Sequence, residues 1–196
     1  MPVRSDDDIA RTRAFWASSK PSDAIAPAFV PDPPTWWHVG VALLAALVLQ
    51  STFAPALAFR GATVSFVTLL VVWYGLRTGW AYGLLFGTIA GSCDDALAGS
   101  TGVAWTFATA LCGAIAGCAA RTQLAETRWT LVGGVAALTL LRYGAFAIGM
   151  QMQNRPLALP ETHLHAALWQ SVLHAVVAVV VLRFGPEIGG RFAYRR

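Results

Sequence analysis

From Trp36 onward the chain is a series of apolar runs separated by short polar or glycine-containing joints. A helix that crosses a bilayer needs about 20 mainly apolar residues. On that measure the first run, Trp36 to Ala58, predicts a spanning helix. It opens on Trp36 and Trp37, whose amphipathic rings suit the headgroup layer, and Pro55 should kink or end it. The second run, Thr63 to Leu76, is short and rich in β-branched residues, so it is either tucked into a bundle or extended past its apolar core. Further runs follow at Trp80 to Asp94, Gly102 to Ala120, Trp129 to Met150 and His163 to Phe184. Only Arg77 to Gly79 separates the second run from the third. The pattern predicts an all-α integral membrane protein with six transmembrane helices in a compact bundle over residues 36–185. A polar, loosely ordered cytoplasmic tail of residues 1–35 precedes it, and a basic cytoplasmic tail of residues 186–196 follows.

Composition agrees with the pattern. The chain is 56% hydrophobic and only 12% charged, where an ordinary soluble domain is about 25% charged. Mean hydropathy is +0.56. The net charge of +4 is small and its basic residues are scattered, which argues against a nucleic-acid partner. Their distribution matters more than their sum. With six spans and both termini inside, the internal segments hold Arg4, Arg11, Arg13, Lys20, Arg77, Arg121, Arg128, Arg183, Arg191, Arg195 and Arg196. The external loops hold only Arg60 and Arg155. The positive-inside rule therefore predicts cytoplasmic termini. Asp94 and Asp95 then lie at the outer end of the third span, and Pro156 to His163 form an external loop. The first 35 residues carry Asp6, Asp7, Asp8 and several prolines, and no apolar core of signal-peptide type.

Lipid gives helices no hydrophobic reason to associate, so close backbone contact has to. Gly83, Gly87 and Gly91, each four residues apart, put a smooth groove along the third span, and Gly113 and Gly117 do the same for the fourth. Gly133 and Gly134 should open the fifth span similarly. Against this background the ionisable residues stand out, because such groups are costly in a bilayer. Arg142 lies thirteen residues after Trp129, about 20 Å along the helix, at the level of Asp94 and Asp95. A structural Arg–carboxylate pair across the bundle is the leading expectation, ahead of a substrate or ion site, or of Asp94 wetted at the interface. Gln170 and His174 are four apart and share an inward helical face. His174 is expected as a hydrogen-bonded packing residue rather than a proton relay. Gln50, Ser51 and Thr52 could bond across helices. Cys93, Cys112 and Cys118 form no Cys-x-x-Cys and read as small buried hydrophobes.

Enzyme chemistry finds little support. The pair at Asp94 and Asp95 has no third aspartate to hold two metals, His163 and His165 lack a ligand partner at metal spacing, and Ser92 and Ser100 lack a histidine. No catalytic residue, metal site or cofactor is expected.

The order of features resembles the bacterial rod shape-determining protein MreD family. A first span ends in "LVLQSTFAPALAFRGA", a short second span follows, and a glycine-rich third span leads into "DDALAGSTG". In that family's third-span motif Gly91, Asp95, Leu97 and Gly99 match, Ala98 replaces a serine, and the next glycine position falls on Val103 with Gly102 one place early. The family's Pro-Asp before the second span is replaced by Ala62 to Ser65. The resemblance covers about residues 45–185. It implies a fold like the substrate-binding S component of energy-coupling-factor vitamin transporters. It also implies a non-catalytic inner-membrane scaffold of the cell-elongation machinery that binds MreC and connects indirectly to MreB filaments and peptidoglycan synthesis. The alternative is an S component of a vitamin or ion uptake transporter. Asp94, Asp95, Arg142, Trp105 and Trp169 would then line its site.

Overall fold

The computed structural model describes residues 35–53, 55–56, 58–99, 101–120, 128–155 and 160–184. The expected tails, 1–35 and 186–196, lie outside the described residues except for Thr35. Among the described residues the chain forms six α-helices and no strand: α1 Trp36–Thr52, α2 Phe66–Thr78, α3 Trp80–Ala98, α4 Ala104–Ala119, α5 Arg128–Met152 and α6 Pro160–Phe184.

The helix ends have local causes. α1 stops at Thr52, short of the expected Ala58. The Ser51 and Thr52 hydroxyls fold back onto the Val48 carbonyl, and Pro55 has no N–H with which to continue the ladder. Ser65 caps α2 by accepting the Thr68 N–H at 3.2 Å, which moves its start from Thr63 to Phe66. Gly79, at φ 93°, ends α2 and begins α3, so one residue reverses the chain where three were expected. α3 continues past Asp94 to Ala98 and ends at Gly99 in the left-handed region. The two aspartates are therefore in the helix and not beyond it. α6 begins at Pro160, a favoured first helical residue, so part of the expected 156–163 loop is helical.

Two segments, Trp129–Met152 and Glu161–Arg183, are long and apolar enough to cross a membrane. Trp36–Thr52, Phe66–Thr78 and Ala104–Ala119 are apolar but shorter. The expected six spans are matched in helix number but not in length: α2, at 13 residues, covers about 20 Å of a hydrocarbon core about 30 Å thick.

Consecutive helices run antiparallel, and α3 packs most closely on α4. A methyl group built on Gly83 would strike the Gly113 carbonyl, and one on Gly113 would strike Gly83. On Gly87 it would lie 2.5 Å from the Thr109 oxygen, and on Gly91 2.6 Å from the Thr106 Cα. Gly117 meets the backbone of Gly79 and Trp80. All five expected packing glycines are thus backbone-to-backbone contacts. Gly75 of α2 joins them, 2.6 Å from the Gly113 oxygen on the same construction. Gly133 and Gly134 do not: neither has anything within 4 Å. The buried apolar residues are correspondingly small, among them Val67, Val71 and Ala90 between α2 and α3, and Cys112, Ala116 and Ala108 on α4. Many large ones, including Leu44, Leu85, Ile89, Ile148 and Val176, point outward, while Leu43, Phe86, Leu138 and Phe146 are buried.

Between α1 and α2 the chain reverses in a two-residue turn. Phe59 N–H donates to the Ala62 carbonyl at 2.8 Å, and Ala62 N–H returns the bond at 2.9 Å. Both central residues have positive φ, Arg60 at 51° and Gly61 at 82°. Asn-Gly is the sequence such a turn prefers. An arginine there costs about 1–2 kcal/mol of backbone strain. Stacking of its guanidinium on aromatic rings returns about 0.5–1 kcal/mol.

The packing predicts opposite outcomes for two glycine substitutions. Gly113→Ala should cost about 1–3 kcal/mol through overpacking. Gly133→Ala should be neutral or stabilise by up to about 1 kcal/mol. Thermal unfolding of the purified variants tests both; equal midpoints would mean that the α3–α4 contact tolerates a side chain.

Candidate functional site

Arg142, Asp94, Gln50, Ser65, Thr68, Thr109, Thr139 and His174 form one connected hydrogen-bond network in the core. Arg142, in the middle of α5, is buried, and its Nη2 donates to Asp94 Oδ2 of α3 at 2.6 Å. Its Nε donates to Thr109 Oγ1 of α4 at 3.0 Å. The Trp105 ring covers its guanidinium at 4.2 Å and is itself stacked on Phe146. The other Asp94 oxygen accepts from Gln50 Nε2 of α1 at 3.1 Å. The expected cross-bundle pair is therefore formed with Asp94. Asp94 is 6% exposed, so it is not wetted at an interface.

From Gln50 the network turns towards α2 and α6. Gln50 Oε1 accepts from the Ser65 hydroxyl at 3.0 Å and from the Val67 N–H at 3.3 Å. With its only hydrogen given to Gln50, Ser65 Oγ must accept from Thr68 Oγ1. The Ser65 backbone N–H donates to His174 Nε2 at 2.9 Å. A backbone N–H can only donate, so Nε2 is the bare nitrogen and His174 is neutral, with its proton on Nδ1. That proton points to Thr139 Oγ1 at 2.8 Å, and Thr139 in turn donates to the Val135 carbonyl. His174 is thus a fully hydrogen-bonded packing residue. Gln170, one turn earlier, donates to the Thr63 carbonyl at 2.6 Å, and its buried Oε1 has no hydrogen-bond partner among the described residues.

Asp95 has a different task. Val103, at the N-cap of α4, has no side chain able to accept, and the exposed N–H groups of that helix need partners. Asp95 supplies them from α3. Its Oδ1 accepts from Thr101 Oγ1 at 2.7 Å and Trp105 N–H at 3.1 Å, and its Oδ2 from the N–H and hydroxyl of Thr106, both at 2.7 Å. An anion at a helix N-terminus is also favoured by the helix dipole. Asp95 therefore braces the α3–α4 turn as a remote cap. Arg142 takes no part in this cap, because its guanidinium is held by Asp94.

These assignments limit the chemistry. Asp95 accepts four bonds, which uses its lone pairs, and both oxygens of Asp94 are engaged. A groove of about 350 Å³ lies between α5 and α6, lined by Ala136, Ser171, Ala175 and valines of α6. None of the ionisable network residues reaches it. Trp169, an expected companion of the acids, packs instead against Phe59 and His165. Of the cysteines, Cys112 is buried and donates to the Leu138 carbonyl, Cys93 is half-buried and Cys118 is exposed, so the expectation of three buried thiols holds for Cys112 only. The motif residues divide: Gly91 and Asp95 make the α3–α4 contact, Gly99 ends α3, and Leu97 is exposed.

The residues that sequence reading did not single out are Ser65, Thr68, Thr109 and Thr139. Their signal is a hydroxyl within an otherwise apolar run, which is weak because such hydroxyls also bond their own helix. Ser51 and Thr52 do so here. Comparison with known protein families, characterised proteins and solved structures finds no match to this chain.

Arg142→Met strands the Asp94 charge in the core and should cost about 3–5 kcal/mol. Asp94→Leu combined with Arg142→Met should recover most of that loss. Thermal unfolding of the singles and the double measures the coupling, and a double variant no better than the singles would show that the two charges act separately. Asp95→Ala should cost about 0.5–2 kcal/mol through the lost cap, seen as faster amide exchange at Trp105 and Thr106.

Proposed function

We propose that this chain is a non-catalytic protein of the bacterial inner membrane. Six helices cross the bilayer with both termini in the cytoplasm, and the bundle serves as a scaffold in cell elongation, in the manner of the MreD family that its sequence resembles. Its partners on this reading are MreC and other membrane proteins of the elongation machinery, and through them MreB filaments. The observation that carries the reading is the bracing of the polar core: Arg142 pairs with Asp94, and Asp94, Asp95 and His174 each hydrogen-bond a neighbouring element, as a scaffold requires.

Membrane embedding draws on three features. Large apolar side chains face outward around the bundle, more than a soluble monomer ordinarily exposes. Trp36, Trp37, Trp80 and Trp129, all exposed, begin α1, α3 and α5 and so mark one end of the antiparallel bundle, as an interfacial aromatic belt would. Small residues inside and glycine contacts between backbones are the packing that lipid-embedded helices use. The short α2 is consistent with this arrangement, since Val67, Thr68, Val71 and Val72 are buried among its neighbours.

Two experiments test the proposal. Tagged protein pulled from native membranes should carry MreC and cell-wall synthesis proteins; recovery of an energy-coupling transmembrane subunit with its ATPases would replace the scaffold with an uptake transporter. On intact spheroplasts, a membrane-impermeant maleimide should label Gln151→Cys and spare Arg77→Cys. The reverse pattern would invert the topology, and labelling of neither would remove the bundle from the membrane; Cys93, Cys112 and Cys118 are first replaced by Ala so that only the introduced thiol reports.

A further inference from the structure

The turn between α1 and α2 holds an unusual arginine. Arg60 occupies the first central position of a two-residue turn at φ 51°, where asparagine would sit with less strain. The side chain is what the position keeps. Its guanidinium lies 4.7 Å from the Trp169 ring and 5.6 Å from the Phe59 ring, and the two rings meet edge to face at 5.1 Å. Stacking covers the face of a guanidinium and leaves its N–H edge available. Among the described residues Arg60 forms no ion pair, whereas Arg142 is held by Asp94.

The arginine is also held on a fixed base. Ala62 and Val64, just past the turn, are buried. The Thr63 carbonyl is bonded to Gln170, and the Ser65 N–H to His174, both on α6. Trp169 lies on that same helix, and its Nε1–H donates to His165 Nε2 at 3.1 Å, which fixes the indole. Glu161, one turn earlier on α6, is the nearest acid in that helix. A guanidinium held rigidly on aromatic faces, with its donor edge free, is preorganised for a planar oxyanion.

From this geometry we infer that Arg60, seated on Trp169 and Phe59, is a binding site for a phosphate-bearing anion. Phosphate offers paired oxygens to the two N–H donors of the guanidinium edge. A phospholipid headgroup and a soluble phosphate share this chemistry. The site does not depend on the scaffold reading; only the lipid source rests on the chain being in a membrane.

The test compares full-length wild type with Arg60→Asn in detergent micelles. Native mass spectrometry reads retention of phosphatidylglycerol over phosphatidylcholine, and thermal unfolding reads the response to inorganic phosphate. Asparagine suits the turn, so the variant should melt no lower than wild type. Its phosphatidylglycerol preference should fall about fivefold, the effect of one arginine near an anionic surface. A lipid preference without a phosphate response assigns a headgroup. A rise in wild-type midpoint with phosphate that Arg60→Asn lacks assigns a soluble anion. Equal behaviour of the two proteins towards both probes overturns the site. Should Arg60→Asn fail to fold, Arg60→Gly, which the same φ accommodates, takes its place; failure of both would show the arginine to be purely structural and would also overturn it.

Discussion

The structure depends on one ion pair. Arg142 and Asp94 sit where neither water nor lipid could solvate them, and each is the other's ion-pair partner. Replaced together by apolar residues of similar volume, such a pair is often dispensable for stability. What apolar residues would not do is decide which turn of α5 faces which turn of α3, because they pack acceptably in more than one register. A charge that must meet its counter-charge removes that freedom. The same pair sets the helices around it: Asp94 receives Gln50 from α1 and Arg142 reaches Thr109 of α4. Gln50 then fixes the start of α2 through Ser65 and Val67, and Ser65 fixes α6 through His174. All six helices are indexed to one another by hydrogen bonds whose donors and acceptors admit one assignment.

That network needs the glycine contacts, and they need it. Asp95 can cap α4 only because α3 and α4 approach until Gly91 touches the backbone of Thr106. A side chain at Gly91 would separate Asp95 from the N–H groups it satisfies. Conversely, a smooth glycine groove fixes distance well and register poorly, since a shift of four residues along Gly83, Gly87 and Gly91 presents nearly the same surface. The caps and the ion pair select among those shifts. Shape sets how close the helices come, and charge sets which residues meet.

Much of this was legible in the chain, and the illegible parts have a common reason. The helix count, the glycine faces, the level of Arg142 with the aspartates and the inward face of Gln170 and His174 all follow from periodicity and from the rarity of charge in an apolar run. The choice of Asp94 over Asp95 did not follow. Adjacent helical residues point about 100° apart, and which of the two faces α5 depends on the rotation of α3, which glycine packing sets. The role of Asp95 depended on Val103 being unable to cap α4, a local deficiency answered from another helix. Gly133 and Gly134 matched the small-residue pattern but face open space, because the pattern records a possible contact and not whether a neighbour is present. Helix length misled in the other direction: Pro55 and the back-bonding of Ser51 and Thr52 shortened α1 where hydropathy alone ran on.

The division between inside and outside bears on where function can reside. In the core, Asp94 and Arg142 are committed to each other, Asp95 to the start of α4 and His174 to Ser65 and Thr139, so a ligand entering there would have to break bonds that hold the helices in register. The surface is under no such constraint. Arg60 makes the contrast plain. It and Arg142 are both stacked on tryptophan, at 4.7 and 4.2 Å, yet one is closed by a carboxylate and the other is held open in a backbone conformation that a smaller residue would adopt more easily. The stacking on Trp169 and Phe59 returns only part of that strain. In a bundle whose interior serves to hold shape, chemistry directed at other molecules is left to such positions at the rim.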